Sequence, residues 1–272
     1  MNAVLARLRR ARSGALDLLI GTVSVIAFFA VWQLVTTITK FPYFPPPSAI
    51  VANAWNKWFG GPWYTFFLSE TGVQQLAPSV GRVLIGWAIA VVVGVALGFA
   101  VGLWPRFAAY LYPTIEFMRN LPPAALLPVF LLILGVGDGM KVAFIALTVV
   151  WPILLNTIDG VGAVDQTQLD SARAYKIRPS RVLRSIVLPS ALPKIFAGLR
   201  VSLSIALILM VVSEMLAATN GIGFEILTGQ RSFKIVDMWS GIIVLSALGV
   251  ILNMLIQLVE HRALRWHRGA RA

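Results

Sequence analysis

Few residues in this chain of 272 have a type and spacing that could do chemistry, and those that do handle charge rather than make or break bonds. Glu116 and Arg119 are three apart, so on a helix they share a face and can neutralise one another. Pro122 and Pro123 follow at once and prevent regular helix hydrogen bonding there. Two readings stay open: a mutually satisfied structural pair, or a gate at a broken helix whose freed backbone groups face a pathway, with Arg119 favouring an anion. Glu214, near the end of another apolar run, either pairs with a basic residue or lines an outer gate. Arg200 and Asp159 sit near the opposite ends of their runs and are expected to snorkel. An ionised group in hydrocarbon costs about 2.5–3.5 kcal/mol on insertion scales, so each of these needs a partner or water. Covalent chemistry finds no support. There is no cysteine, and His261 and His267 lie in the C-terminal tail beside no acidic or histidine cluster. H-E-x-x-H, G-x-S-x-G and G-x-x-x-x-G-K-[ST] are all missing, and no cofactor or metal is expected. The glycine-rich stretch 135–141, GVGDGMK, lacks the Lys-Ser/Thr ending of a phosphate loop and reads as a tight turn.

The elements that must position these charges are long and apolar. The chain is 58% hydrophobic with mean hydropathy +0.81, beyond the range of an ordinary soluble domain. Runs long enough to cross a bilayer, about 20 residues each, occur at 18–38, 83–103 and 238–259. A shorter one at 142–158 continues past Asp159, and 195–218 carries Arg200 and Glu214. The apolar region 107–134 is interrupted by Glu116, Arg119 and four prolines. The expected fold class is therefore an all-α polytopic membrane protein. The net charge of +12 is distributed as lipid orientation demands rather than as nucleic-acid binding would. Arg7, Arg9, Arg10 and Arg12 precede the first run, Arg173, Lys176, Arg178, Arg181, Arg184 and Lys194 crowd one loop, and Arg262, Arg265, Arg268 and Arg271 follow the last run. The opposite loops hold only Lys40, Lys57, Lys141, Arg231 and Lys234, with Arg82 at a boundary. Both termini and the basic loop are thus expected in the cytoplasm. Parity then requires 107–134 to be one broken crossing, giving six transmembrane helices. The first run is too long for a signal-peptide core and is read as an uncleaved span.

Between the first two spans, Pro45, Pro46 and Pro47 forbid a helix and Ser48 is placed to cap one running to about residue 59. Trp55, Trp58, Phe59, Trp63, Tyr64, Phe66 and Phe67 are expected to form an outer interfacial belt. Gly94, Gly98 and Gly102 are four apart, which marks a close helix contact within the subunit or between copies.

The basic loop, LDSARAYKIRPSRVLRSIVLPSALP at 169–193, carries the clearest pattern. It resembles the cytoplasmic EAA loop of permease subunits of bacterial ABC importers, with Asp170, Ser171 and Ala172 at E-A-A and Ile186, Leu188 and Pro189 closing the motif. Lys176 stands where the family has Gly, so the bend is expected to be wider or shifted toward Arg178-Pro179. Asp170 is expected near a helix start, and Pro189 and Pro193 to redirect the chain into the fifth span. Pro113, Glu116, Arg119, Pro122 and Pro123 match another family element, and the segment 218–233 is similar to its G-x-G region, contacted by a binding protein or an outer gate. The PPPS segment, with Ser79, Arg82 and Gly86, resembles the nitrate, sulfonate and taurine branch. The resemblance implies a type I importer-like fold, docking of loop 161–193 on separate ATPase subunits, an extracytoplasmic solute-binding protein, a homodimer in the lipid of the bacterial inner membrane, and no nucleic acid. It divides the chain into a basic cytoplasmic N-terminus (1–14), a first transmembrane helix (15–38), an outward loop with an interfacial helix (39–79), a five-span core (80–260) and a basic tail (261–272). The solute is expected to be a small anion such as nitrate, a sulfonate or taurine. An ion-gradient-driven carrier or channel is the alternative.

Overall fold

The computed structural model describes residues 2–65 and 67–265, with side chains from residue 20. Phe66, His267, Arg268, Arg271 and the side chains of Arg7, Arg9, Arg10 and Arg12 lie outside the described residues. Helices run in the order α1 (Asn2–Thr39), α2 (Pro47–Trp58), α3 (Glu70–Leu103), α4 (Pro105–Arg119), α5 (Pro123–Leu134) and α6 (Asp138–Gly162). They continue with α7 (Gln166–Ala174), the single turn α8 (Pro179–Val182), α9 (Leu188–Ala217), α10 (Ile222–Arg231) and α11 (Ile235–Ala263). Five segments are long and apolar enough to span a bilayer, and α4 with α5, bent by 97° at the expected proline break, form either a sixth, broken span or a re-entrant loop.

The bundle is organised by α3 packing on α6. Both follow an outer loop and run in the same direction, and the contact repeats every fourth residue. A methyl added at Gly86 would lie 2.9 Å from Ile145, at Gly94 3.0 Å from Ile153, at Gly98 2.5 Å from Thr157 and at Gly102 2.8 Å from Val161. The glycine stripe therefore works inside the subunit, letting two backbones approach where lipid supplies no hydrophobic drive between helices. On its other side α6 packs on α9, where Gly198 meets Asn156 and Gly160 meets Ala191. These three helices enclose most of the core, including Val83, Ala90, Phe144, Val149, Ile153, Ala206 and Met210. By contrast, α1 touches the rest near its outer end, through Gln33 and a Trp32–Trp239 ring contact at 5.5 Å.

The outer segment departs from expectation in two ways. Pro47 is the first residue of α2 rather than a barrier to it, because a missing N–H costs nothing in the first turn. Ser48 does not cap. Gln33 of α1 does so instead, accepting from the Ser48 amide at 3.1 Å while its own amide donates to Ser48 Oγ at 3.0 Å. Trp58 is fully buried rather than interfacial, with its indole N–H donating to Ser240 Oγ at 3.2 Å. The repeat Ile50, Ala54, Trp58 is the buried stripe of α2, whereas Trp55, Trp63, Tyr64 and Phe67 are exposed. Ser69 caps α3 by accepting from the Gly72 amide, so this helix starts well before the apolar run at 83.

Gly98→Leu should wedge α3 from α6, lowering the unfolding free energy of the purified permease by about 2 kcal/mol or more. Gly81→Ala, on the same helix with nothing near the new methyl, should be neutral or slightly stabilising in the same thermal-unfolding assay.

Candidate functional site

Two regions gather the charged residues, one at each end of the bundle. At the outer end Glu214 of α9 is fully buried and its carboxylate is the centre of a network. Arg82 Nη1 donates to Oε1 at 2.6 Å, Ser79 Oγ lies 2.8 and 2.9 Å from the two oxygens, and the Gly223 amide donates to Oε2 at 2.9 Å. Arg82 is 3% exposed, and its remaining donors reach Asp138 (2.9 and 2.8 Å), the Asn220 carbonyl (3.1 Å) and the Asn220 side chain. Lys141, also buried, lies 3.6 Å from Asp138. Arg82 and Lys141 thus face a fully buried Glu214 and an Asp138 that is 68% exposed, so the charge of Glu214 is balanced away from water while Asp138 keeps its own hydration.

Local sequence explains how the carboxylate is reached. Gly221 has φ +118°, and a methyl there would lie 2.4 Å from the Glu214 carboxyl carbon. The same methyl on Gly223 would meet the Val211 carbonyl at 2.6 Å. Only glycine lets the start of α10 close over Glu214, so the Gly223 amide binds the anion as helix N-termini do, while the Ile222 amide donates to Ser79 Oγ and the Gly221 amide to Gln75. The G-x-G segment is therefore an anchored lid over Glu214, and the turn at 135–141 supplies a ligand to Arg82 as well as reversing the chain. Of the two readings of Glu214, the structure has it paired.

Arg82, Asp138, Ser79 and Asn220 were not singled out from sequence as site residues. Arg82 stood at the edge of an apolar run and passed for a boundary charge. The usable signal was the demand of Glu214 for a cation at the same depth, which only Arg82 and Lys141 on that side could meet. A second outer cluster ties α2 to α10 and α11: Lys57 Nζ lies 2.6 Å from Glu225 and 3.0 Å from Asp237. Burial alone would lower the Lys57 pKa, but hydrogen bonds and attraction from Glu225 and Asp237 outweigh it and raise the pKa above the usual 10.5. This tie is therefore complete through neutral pH and is lost only as pH rises through the raised value.

Glu116 and Arg119 bind each other at 2.6 Å on α4, about half exposed, and are not part of the outer network. Asn120 ends α4 by donating to the Glu116 carbonyl at 2.6 Å, and Pro123 opens α5. Arg200 does not simply snorkel, since it pairs with Glu260 of α11. Asp159 is exposed.

The loop after α6 folds as its own unit. Asp165 caps α7 by accepting from the Thr167 amide at 2.8 Å, so Asp170 lies inside the helix rather than at its start, paired with Arg173 at 3.0 Å. Ser171 is exposed and Ala172 is 3% exposed. The expected shift of the bend does not occur. Lys176 itself takes φ +50°, the Ile177 amide donates to the Ala172 carbonyl at 3.0 Å and the Lys176 amide to the Arg173 carbonyl at 2.9 Å. That double bond closes a helix in the manner usually served by glycine, here with a lysine held in a left-handed conformation at a cost of about 1–2 kcal/mol. Nor do Pro189 and Pro193 redirect the chain. They lie within one helical segment, Pro179–Ala217, whose first part passes through a π turn at Leu183–Val187. Proline 189 cannot donate to residue 185 and would crowd its carbonyl, and the widened turn accommodates both problems. Ile186 is half-buried and Leu188 exposed, while Val164, Val187, Ala191 and Ile195 form a small core under the loop.

This arrangement matches a known family model over residues 90–265, described as the binding-protein-dependent transport system inner membrane component. The chain belongs to that family. It is 30% identical over 257 residues to the taurine transport system permease protein TauC of Escherichia coli, covering 94% of this chain and 91% of that one. It is 31% identical over 200 residues to the nitrate import permease protein NrtB of Synechococcus elongatus, covering 73% and 72% respectively. The inward-facing MetNI methionine ABC transporter shares the fold, with a TM-score of 0.57 at 18% identity over 70% of this chain and 93% of that one. The protein is thus the multi-pass inner-membrane permease subunit of an ABC importer, a pore component that works with a binding protein and a separate ATPase. The ion-gradient-driven alternative falls with that assignment.

Removing either member of the buried pair should be the costliest single change at the outer end. Glu214→Gln or Arg82→Gln is expected to lower stability by about 3–5 kcal/mol, read from thermal unfolding in detergent. The double Arg82→Met, Glu214→Met variant should lose less than the two single losses added together.

Proposed function

We propose that this subunit passes a small solute carrying an oxyanion group, of the sulfonate or nitrate type, inward across the membrane after delivery by an extracytoplasmic binding protein. The observation that supports the substrate class is that a taurine permease and a nitrate permease both match most of the chain. Sulfonate and nitrate are compact groups that spread one negative charge over three oxygens. Arg119 at the α4–α5 break is suited to such a group, with Glu116 beside it and Pro122 and Pro123 holding the bend. In this reading the Arg82–Glu214 network keeps the outer ends of α3, α6 and α9 together, so the path closes above the break.

Docking of the ATPase belongs to loop 161–193. Asp170, Ser171, Ala172 and Lys176 form the docking helix and its end. Ile186, Leu188 and Pro189 join it to the fifth span. The position of basic residues in this loop and near both termini supports a cytoplasmic location for all three. Two copies are proposed to form the pore, in keeping with the exposed apolar faces of α3 and α5, such as Ile85, Val92, Leu132 and Ile133.

The test is uptake by proteoliposomes holding the permease, its ATPase and its binding protein. Labelled taurine or another sulfonate, or nitrate, should enter only with ATP. A Ser171→Arg variant, at an exposed position of α7, should keep the permease folded but lose most ATP-driven uptake, because a large charge replaces a small residue on the docking helix. Uptake at the wild-type rate by that variant would remove α7 from the coupling role.

A second variant addresses the path. Glu116→Gln with Arg119→Gln should fold and bind the ATPase, since both charges leave together, yet take up the anion at least about tenfold more slowly, the loss of one charge-assisted contact. Normal uptake would make the pair structural.

A further inference from the structure

One cluster of cations in the cytoplasmic loop has no use in the fold. Tyr175, Lys176, Arg178, Ser180, Arg181 and Arg184 line a cavity of about 600 Å³ beside the end of α7. The two nearest acids in sequence are already committed: Asp165 caps α7 and Asp170 holds Arg173. Among the described residues, Lys176, Arg178, Arg181 and Arg184 have no acidic partner. Four like charges converging on one cavity repel one another, and Lys176 adds to that cost by taking a left-handed backbone conformation. The repulsion points to an anionic ligand that relieves it, whereas the backbone strain is met locally by the two hydrogen bonds that end α7.

We propose that this pocket is a socket for an acidic stretch on the cytoplasmic ATPase subunit, making the dock a paired-charge contact. The proposal rests on the reading of α7 as the docking helix and adds the chemistry of the contact. Position in the membrane favours a protein over a lipid headgroup. From Arg184 to Ala217 the helix rises about 50 Å, and at a usual tilt of about 20° it covers about 47 Å along the membrane normal. A bilayer is about 40–45 Å thick including both headgroup layers, so the segment is long enough to carry Arg181 and Arg184 past the inner one. A wide, exposed cavity lined by guanidinium forks suits carboxylates presented by a partner surface.

The experiment uses full-length permease in nanodiscs and its ATPase subunit, with affinity measured at low and at high ionic strength. Arg181→Gln with Arg184→Gln, both exposed positions, should weaken association roughly tenfold at low salt, and the difference should vanish at high salt. Lys176→Gly gives opposite signs in two readouts. It should raise the unfolding temperature of the permease alone, because glycine relieves the positive φ, yet weaken association about threefold. A purely structural lysine would show only the first. Unchanged affinity and unchanged salt dependence in the double arginine variant would overturn the socket. Binding of inorganic phosphate or of phosphatidylglycerol vesicles to the permease alone, lost in that variant while ATPase affinity stays the same, would overturn it too and reassign the pocket. Ser171→Arg, at an exposed position, separates the two levels: if it abolishes association while the double arginine variant does not, α7 docks and the charge reading fails. If neither changes association, the docking reading itself fails.

Discussion

A carboxylate that cannot reach water sets the terms for the outer half of this permease. Glu214 is buried among helices, and its charge is held by a guanidinium and a hydroxyl from α3 and a backbone amide from α10. Removing any one leaves a charge or donor without its partner in a medium where that is most expensive. The network therefore dictates more than local geometry. It requires Arg82 on α3 to face inward at the height of Glu214, Asp138 to begin α6 at the same level, and the chain after α9 to turn back with glycine at 221 and 223. The parallel glycine contact of α3 on α6 then needs no further register signal, because both helices are already tied at their outer ends.

Much of this could be read before any coordinates. Span positions, the proline break and the pairing of Glu116 with Arg119 follow from run length, consecutive prolines and an i, i+3 spacing. Hydropathy blurred the helix starts, since α3 begins at a Ser69 cap, in polar sequence that no apolar run marks. The Arg82–Glu214 pair is separated by more than a hundred residues, and no local spacing reveals such a contact. Gln33 capping α2 from α1 is hidden for the same reason. Lys176 shows a different limit. Propensity argues against a lysine at positive φ, but the strain of about 1–2 kcal/mol is outweighed by the two hydrogen bonds that end α7 and by the fit of Ala172 beneath it.

Proline 189 and proline 193 make the same point from the opposite side. Each would be expected to break a helix, yet the chain continues through both, because the fixed φ of proline is itself helical. What a proline removes is one donor, and the π turn at Leu183–Val187 absorbs the mismatch just before it. Packing of Val187, Ala191 and Ile195 with Val161 and Val164 then supports the segment just past the turn.

The same helical segment links the two charged ends of the molecule. Glu214 lies near one end of Pro179–Ala217 and the basic pocket near the other. The π turn is the point along this connection where hydrogen bonding is least regular, and it adjoins the pocket. At the Glu214 end the charge is neutralised by Arg82, whereas Lys176, Arg178, Arg181 and Arg184 have no acidic partner among the described residues. The tightly bonded end and the end with unbalanced charge thus belong to one element, so a change at the basic pocket falls first on the turn that yields most easily.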